Sequence, residues 1–111
     1  MWDAESRLRL RIYCTERDRI HGRPTARVLM ELARSTGLAG ATLYRALEGF
    51  GRSGVQRSWR YFETESALPL IVEFVDEESV IRRYLNTLDH LSFQGFLTIE
   101  RVEQITWSGP R

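Results

Sequence analysis

Arginines and carboxylates make up most of the side chains in this sequence that could do chemistry. All 16 basic residues are arginine. Beyond these and the 15 carboxylates, His21, His90 and Cys14 are the candidates for a neutral base, a nitrogen or sulfur metal ligand or a thiol nucleophile. Scattered at 14, 21 and 90, they have no metal-binding spacing. Cys14 is in phase with Leu10 and Ile12, which makes it a small core residue rather than a reactive thiol. His90 lies near the end of an amphipathic segment and reads as a partly exposed helix residue. His21 is different, because it stands beside Gly22 and Arg23 at the start of a helix, where it could hold a ligand or order a loop.

The arginines carry the remaining chemistry. A guanidinium is a planar fork that grips phosphate or carboxylate in two places. Exclusive use of arginine has two readings, a genome-wide codon bias or a preference for that fork, and composition does not separate them. Distribution is more informative. Residues 7–60 hold 12 arginines against Glu16, Asp18, Glu31 and Glu48, whereas residues 61–111 hold four arginines and nine acids. The net charge of only +1 argues against a dedicated nucleic-acid binder. Trp59, Tyr61 and Phe62, with Arg57 and Arg60, have the composition of a base-stacking platform. Against that charge balance they are better read as an arm packing on another subunit, so no nucleic-acid partner is expected.

The elements that must position these groups follow from periodicity. Residues 7–14 alternate strictly, with Leu8, Leu10, Ile12 and Cys14 on one face and Arg7, Arg9, Arg11 and Tyr13 on the other. That is a strand with one buried face; the arginine face is expected to meet solvent or a subunit neighbour. A polar connection, 15–23, leads to Pro24 at the first position of a helix. Val28, Leu29, Leu32 and Ala33 line one side of that helix, and Gly37 caps it in the left-handed region. Residues 40–48 read as a second strand, and the glycine-rich GFGRSG (49–54) breaks it. Residues 57–63 are strand-like, and the seven after them are loop. Residues 70–75, apolar on both faces, read as a central strand. Asp76, Glu77 and Glu78 suit a helix start, where the dipole favours negative charge. Val80, Ile81, Tyr84, Leu85, Leu88 and Leu91 recur at helical spacing as far as Gly95. Residues 96–106 form a last strand, and 107–111 a loose tail.

Length fits one domain, 1–111, with a core at 7–106. The fold class is α+β, a ferredoxin-like split β-α-β (β-α-β-β-α-β) sandwich with a long loop after the second strand. In that topology 15–23, 49–58 and the turn 92–95 meet at one end. The arginine excess then gathers beside two glycine segments and a helix amino terminus, where free N–H groups favour an anion. Plain loop chemistry gives the same composition, so the pattern by itself leaves both readings open. Hydrophobic content of 42% and charged content of 28% place the chain among folded proteins. No apolar run is long enough to insert in a membrane. The amino terminus carries two acids and is not expected to be a signal peptide, and the lone cysteine cannot form an internal disulfide. A cytoplasmic location is expected.

The runs RIYCTERDRIHGRP (11–24), GLAGATLYRALEGFG (37–51), LPLIVEFVD (68–76) and GFLTIERVEQI (95–105) resemble an uncharacterised PII-like family, domain of unknown function 190. The resemblance spans roughly residues 7–106. It implies a ferredoxin-like core, a homotrimer and kinship with PII signal-transduction proteins. Relatives of that kind commonly bind adenine nucleotides between subunits. They touch a partner, often a membrane transporter, through a loop that here would be Gly49 to about Ala67. This chain departs from PII proteins at the turn SFQG (92–95), which lacks their glycine- and lysine-rich phosphate loop. The modifiable tyrosine motif is also missing, although Tyr61 lies near its place.

Acylphosphatases share the chain plan but need an asparagine on the second strand, and the only asparagine here is Asn86. The chain is therefore expected to be a regulator rather than an enzyme, with no catalytic residues. An adenine nucleotide is the candidate ligand, and no other cofactor is implied. The expected ligand contacts are Arg23, Arg52 and Arg57, with His21 and Gly22 shaping the loop. Gly49 and Gly51 are the expected hinges, flanking Phe50. The alternative is a ligand-free adaptor for a protein partner, and more remotely a small acyl-phosphate or phosphate-ester hydrolase.

Overall fold

The computed structural model describes residues 2–50, 56–58 and 68–110. In chain order the elements are β1 (Trp2–Thr15), β2 (Arg19–Ile20), β3 (Arg23–Pro24), α1 (Thr25–Ser35) and β4 (Thr42–Arg45). They continue with β5 (Glu48–Phe50), β6 (Gln56–Ser58), β7 (Pro69–Asp76), α2 (Glu78–Leu88) and β8 (Phe96–Trp107). Four strands make the main sheet in the order β4-β7-β1-β8, and every neighbouring pair is antiparallel. Each β-α-β crossover places a strand of the other half between its own two, which is the ferredoxin-like plan.

The alternation in β1 places the core. Leu8, Leu10, Ile12 and Cys14 are buried, while Arg7, Arg9, Arg11 and Tyr13 point to the other face and stay partly exposed. Opposite them in β7, Leu70, Val72 and Phe74 are buried on the same side. Both helices lie over this face. Ala26, Leu29 and Ala33 of α1 and Ile81 and Tyr84 of α2 complete the cluster. Among the described residues Tyr84 is the largest fully buried side chain. Its hydroxyl donates to the Leu29 carbonyl at 2.9 Å, and its ring packs tilted on Phe74 with centroids 5.0 Å apart. One residue thus ties α2 to α1 and to the sheet. Burial pushes its hydroxyl well above the ordinary tyrosine range.

Gly37 ends α1 as its position suggests. Its φ of +93° suits a residue without a Cβ. The Leu38 amide then bonds the Ala33 carbonyl at 3.0 Å and the Gly37 amide bonds Arg34 at 3.3 Å, the paired closure of a Schellman cap.

Four boundaries differ from the sequence expectation. Pro24 precedes α1 as its N-cap residue rather than opening it. The second strand is only Thr42–Arg45, with β5 set apart, because Ala46 turns to bond Pro69 across the start of β7. The second helix stops at Leu88 rather than running to Gly95. The Asp89, His90 and Leu91 amides reach back only three residues, tightening the chain into turns while Leu91 still packs on the core. Gly95 is required by close approach instead, since a Cβ there would lie 2.9 Å from the Phe93 ring and 3.2 Å from the Tyr13 carbonyl. Lastly, β1 begins at Trp2 and β8 ends at Trp107, and these two residues pair. Trp107 is strand rather than loose tail. Of the strand-like stretch expected at 57–63, residues 59–63 lie outside the described residues.

Two outcomes are expected. Tyr84→Phe removes the donor to Leu29 and should lower stability by about 1–2 kcal/mol in a denaturant titration; an unchanged midpoint would show the bond to be idle. Burial, with the charge of Asp18 adding to it, raises the Cys14 thiol from 9.0 to about 11. The unfolded chain therefore loses this proton first. The advantage is complete below about pH 9 and is lost as pH rises toward about 11, up to about 2 kcal/mol. Wild type should lose stability relative to Cys14→Ala across that window, and parallel pH profiles would refute the assignment.

Candidate functional site

One end of the sheet collects the exits of β1 and β4 with the starts of β7 and β8. Register fixes this: Thr15 pairs with Pro69, Arg45 with Leu70, and Tyr13 with Phe96. The Leu68–Pro69 step is the hub. The Glu16 amide donates to the Leu68 carbonyl at 3.0 Å and the Ala46 amide to the Pro69 carbonyl at 2.9 Å. Arg45 bonds Glu16 at 2.5 Å, joining the connection after β1 to the strand before β5. Gly49 sits against the same hub, since a Cβ there would come 3.1 Å from Pro69 Cγ.

The connection after β1 is an ordered hairpin. β2 and β3 pair through Arg19↔Pro24 and Ile20↔Arg23, leaving His21 and Gly22 as the two-residue turn. Their φ angles of 49° and 80° give the doubly left-handed turn that matches strand twist. Nothing lies within 4 Å of a Cβ built on Gly22, so its glycine answers to backbone conformation rather than to space. Asp18 anchors the base: its carboxylate accepts the Thr15 amide at 2.7 Å and its carbonyl the Thr25 amide at 3.0 Å. Buried Ile20 pins the hairpin to the domain, and Arg19 donates to the carbonyls of Glu16 and Asp18.

This hairpin delivers Arg23 to the start of α1, whose first turn has no acidic residue and no side-chain cap. Both Arg23 contacts come from one guanidinium nitrogen, donating to the two Glu31 oxygens at 2.8 and 2.7 Å. The pair is about half exposed on each side, so breaking it costs little. His21, Gly22 and Arg23 are thus neighbours in one turn, and Gly49 and Phe50 lie in β5 at the same end of the sheet. Phe50 and Leu47 are 76% and 69% exposed, an unusual pair of apolar side chains at the base of the long loop. Gly51 and Arg52 fall outside the described residues. Arg57 lies in β6, whose backbone pairs it with Gly49.

The sequence reading missed several members of this end. Arg45 and Glu16 are 29 residues apart and meet only through the fold. Phe96 stacks on Tyr13 with centroids 4.5 Å apart, covering the open face where β8 begins. Along that face the alternating arginines meet acids that pairing brings opposite: Arg11 donates to Glu73 at 2.7 Å and Arg9 to Glu100. Tyr44 also donates to Glu73, at 3.1 Å. The carboxylate of Glu73 holds the Arg11 guanidinium above its ordinary range. Alternation alone predicted the arginine row; its partners needed the register. Among the described residues no cluster of three or more His, Cys, Asp and Glu could hold a metal ion. No helix among them is long and apolar enough to cross a membrane.

The fold has solved counterparts. CPII, a nitrogen regulatory PII-like protein from Thiomonas intermedia K12 solved with ADP, AMP and bicarbonate, aligns with a TM-score of 0.65 at 14% identity. That alignment covers 92% of this chain and 91% of CPII. A PII-like signalling protein from Thermus thermophilus aligns with a TM-score of 0.61 at 17% identity, covering 94% and 92% of the two chains. Such identities speak to the fold, which is PII-like. Sequence gives nearer kin. A UPF0166 protein of Aquifex aeolicus is 38% identical over 96 residues, 86% of this chain and 90% of that protein. One from Methanocaldococcus jannaschii is 35% identical over 79 residues, 71% and 72% of the respective chains. The family described as DUF190, Uncharacterized ACR, COG1993, matches residues 7–104. With that match across almost the whole sheet and both helices, the chain belongs to the DUF190 family.

Proposed function

We propose that this protein is a homotrimeric, PII-like regulator that takes an adenine nucleotide or a similar small anion and reports it through the 49–67 loop. The observation that carries the reading is convergence at one end of the sheet. The ordered His21–Gly22 turn, Arg23 at an uncapped helix start, and the Gly49 approach to Pro69 lie there together. A fold-level counterpart solved with ADP and AMP supports a nucleotide as the class of ligand. Arg23, Arg52 and Arg57 would grip phosphate, and His21, Gly22, Gly49, Phe50 and Gly51 would shape its surroundings. In the absence of ligand Glu31 occupies Arg23. Anion binding would exchange one carboxylate for a phosphate and free the start of α1. No reaction is assigned: the protein acts by shifting the loop between conformations, in the cytoplasm.

Exposed Leu47 and Phe50 favour a protein as the recipient of that signal, and a membrane transporter is one such partner. The same two residues keep a second reading open, a ligand-free adaptor that uses this apolar base alone.

Calorimetric titration with ATP, ADP, AMP and cyclic AMP, with light scattering for mass, tests the proposal. One nucleotide per subunit of a trimer is the expected result. Arg23→Ala should weaken binding roughly 10-fold or more, and Glu31→Gln should tighten it about 2–5-fold by releasing the guanidinium. A clean trimer giving no heat with any nucleotide would remove the sensor and leave the adaptor.

A further inference from the structure

β1 pairs with β8 from Trp2↔Trp107 to Tyr13↔Phe96, whereas β7 joins β1 only from Leu8 onward. Residues 2–7 and 102–107 therefore run beyond the sheet as a two-stranded ribbon. Strand alternation makes it amphipathic: Trp2, Ala4, Ile105 and Trp107 share the face that continues the helix side of the sheet, and Asp3, Glu5, Gln104 and Thr106 share the other. A two-stranded ribbon is marginal in water without something beneath its apolar face. Trp2, Ile105 and Trp107 are nevertheless more than half exposed, and Ile99 extends the exposed stripe along β8. Glu103 stands on the same face, exposed, with no partner among the described residues.

At the opposite edge of the sheet lies a complementary surface. A groove of about 420 Å³ runs beside α1 and the Leu38–Ala41 segment that leads into edge strand β4. Met30, Ala33 and Leu38 contribute its apolar lining, Arg27 and Arg34 its positive charge, and Glu31, already held by Arg23, a single carboxylate. Neither arginine has a partner among the described residues, unlike Arg23 and Arg45 nearby.

We infer that the ribbon of one copy seats in the α1 groove of the next, with its tryptophans on Met30 and Leu38 and Glu103 toward Arg27 and Arg34. The inference rests on the self-association proposed above and names the surfaces that make it. Charge selects the occupant. The free acid lies on the ribbon and the free arginines in the groove, so the two surfaces of one sequence match each other. Asp3, Glu5 and Glu103 make the ribbon a poor fit to an anionic lipid surface. Two half-exposed tryptophans with isoleucine offer roughly 400 Å² of apolar surface. One ribbon seated in one groove then covers about 400 Å² on each side, roughly 800 Å² in a single contact, and closing a ring repeats that contact on every copy. A contact between opposite edges is head-to-tail, and such a contact makes a ring when the rotation between copies closes on itself.

The test is the solution mass of wild type, of a ribbon variant (Trp107→Ser with Glu103→Arg) and of a groove variant (Met30→Asp with Arg34→Glu), each checked for folding by circular dichroism. Wild type should be an oligomer and each variant a monomer. Mixing the two variants should restore a 1:1 dimer, because one ribbon and one groove remain intact. Should a double variant fail to fold, Glu103→Arg and Arg34→Glu singly should each loosen the assembly at least 10-fold, and the two swaps in one chain should restore it. An oligomeric wild type whose variants keep its mass overturns the assignment while leaving self-association standing. Variants that are monomeric alone and stay so when mixed overturn the head-to-tail geometry. A monomeric wild type overturns both the surfaces and the trimer.

Discussion

Everything in this fold depends on β1 being buried on one side only. It is the strand with long partners on both edges, β7 over eight positions and β8 over twelve. Its even-numbered residues from Leu8 to Cys14 form the floor on which both helices sit, so removing water from that floor fixes the helices' positions. Its odd-numbered residues are thereby committed to the open face. A slip of one residue would send four buried apolar side chains into solvent and three arginines into the core. Register in β1 is consequently the most strongly specified feature of the molecule. The paired acids Glu73 and Glu100 and the stacked Phe96 inherit their places from it.

The same register explains why the candidate site lies where it does. Strands that end together at Thr15, Arg45, Pro69 and Phe96 deliver their connections to one rim. The backbone bonds at Leu68–Pro69 hold the connection after β1 and the approach to β5 against each other, although they are far apart in sequence. A rim built in this way has a pinned half and an apolar half. The His21–Gly22 turn is pinned by Ile20 and Asp18, whereas Leu47 and Phe50 are exposed apolar side chains. A pinned turn carrying Arg23 thus lies beside an exposed apolar base.

At the far end the extra length of β1 and β8 produces a ribbon that the domain itself does not cover. A fold that buries its central residues so completely would have little reason to leave two tryptophans in water, unless a neighbour covers them. Rim and ribbon thus lie at opposite ends of one pair of strands.

The sequence by itself determined the element types and the core. Period-two alternation in RLRLRIYC, the three-to-four spacing of Leu29 and Ala33 and of Ile81 and Tyr84, and the left-handed Gly37 all act over one or two turns of chain. Local patterning reports such features directly. Topology followed from them, and with it the gathering of His21, Gly22, Arg23 and Gly49 at one end. Tertiary structure decided what those residues touch. Arg23 holds Glu31, Arg45 holds Glu16, and the arginine row of β1 holds Glu73 and Glu100. Each choice depends on register or on helix placement, which composition does not encode. The reach of the outer strands was hidden for a similar reason. Trp2 and Trp107 are strand residues only because each supplies the other's partner, and hydrogen-bond pairing across 105 positions leaves no periodic trace in either segment alone.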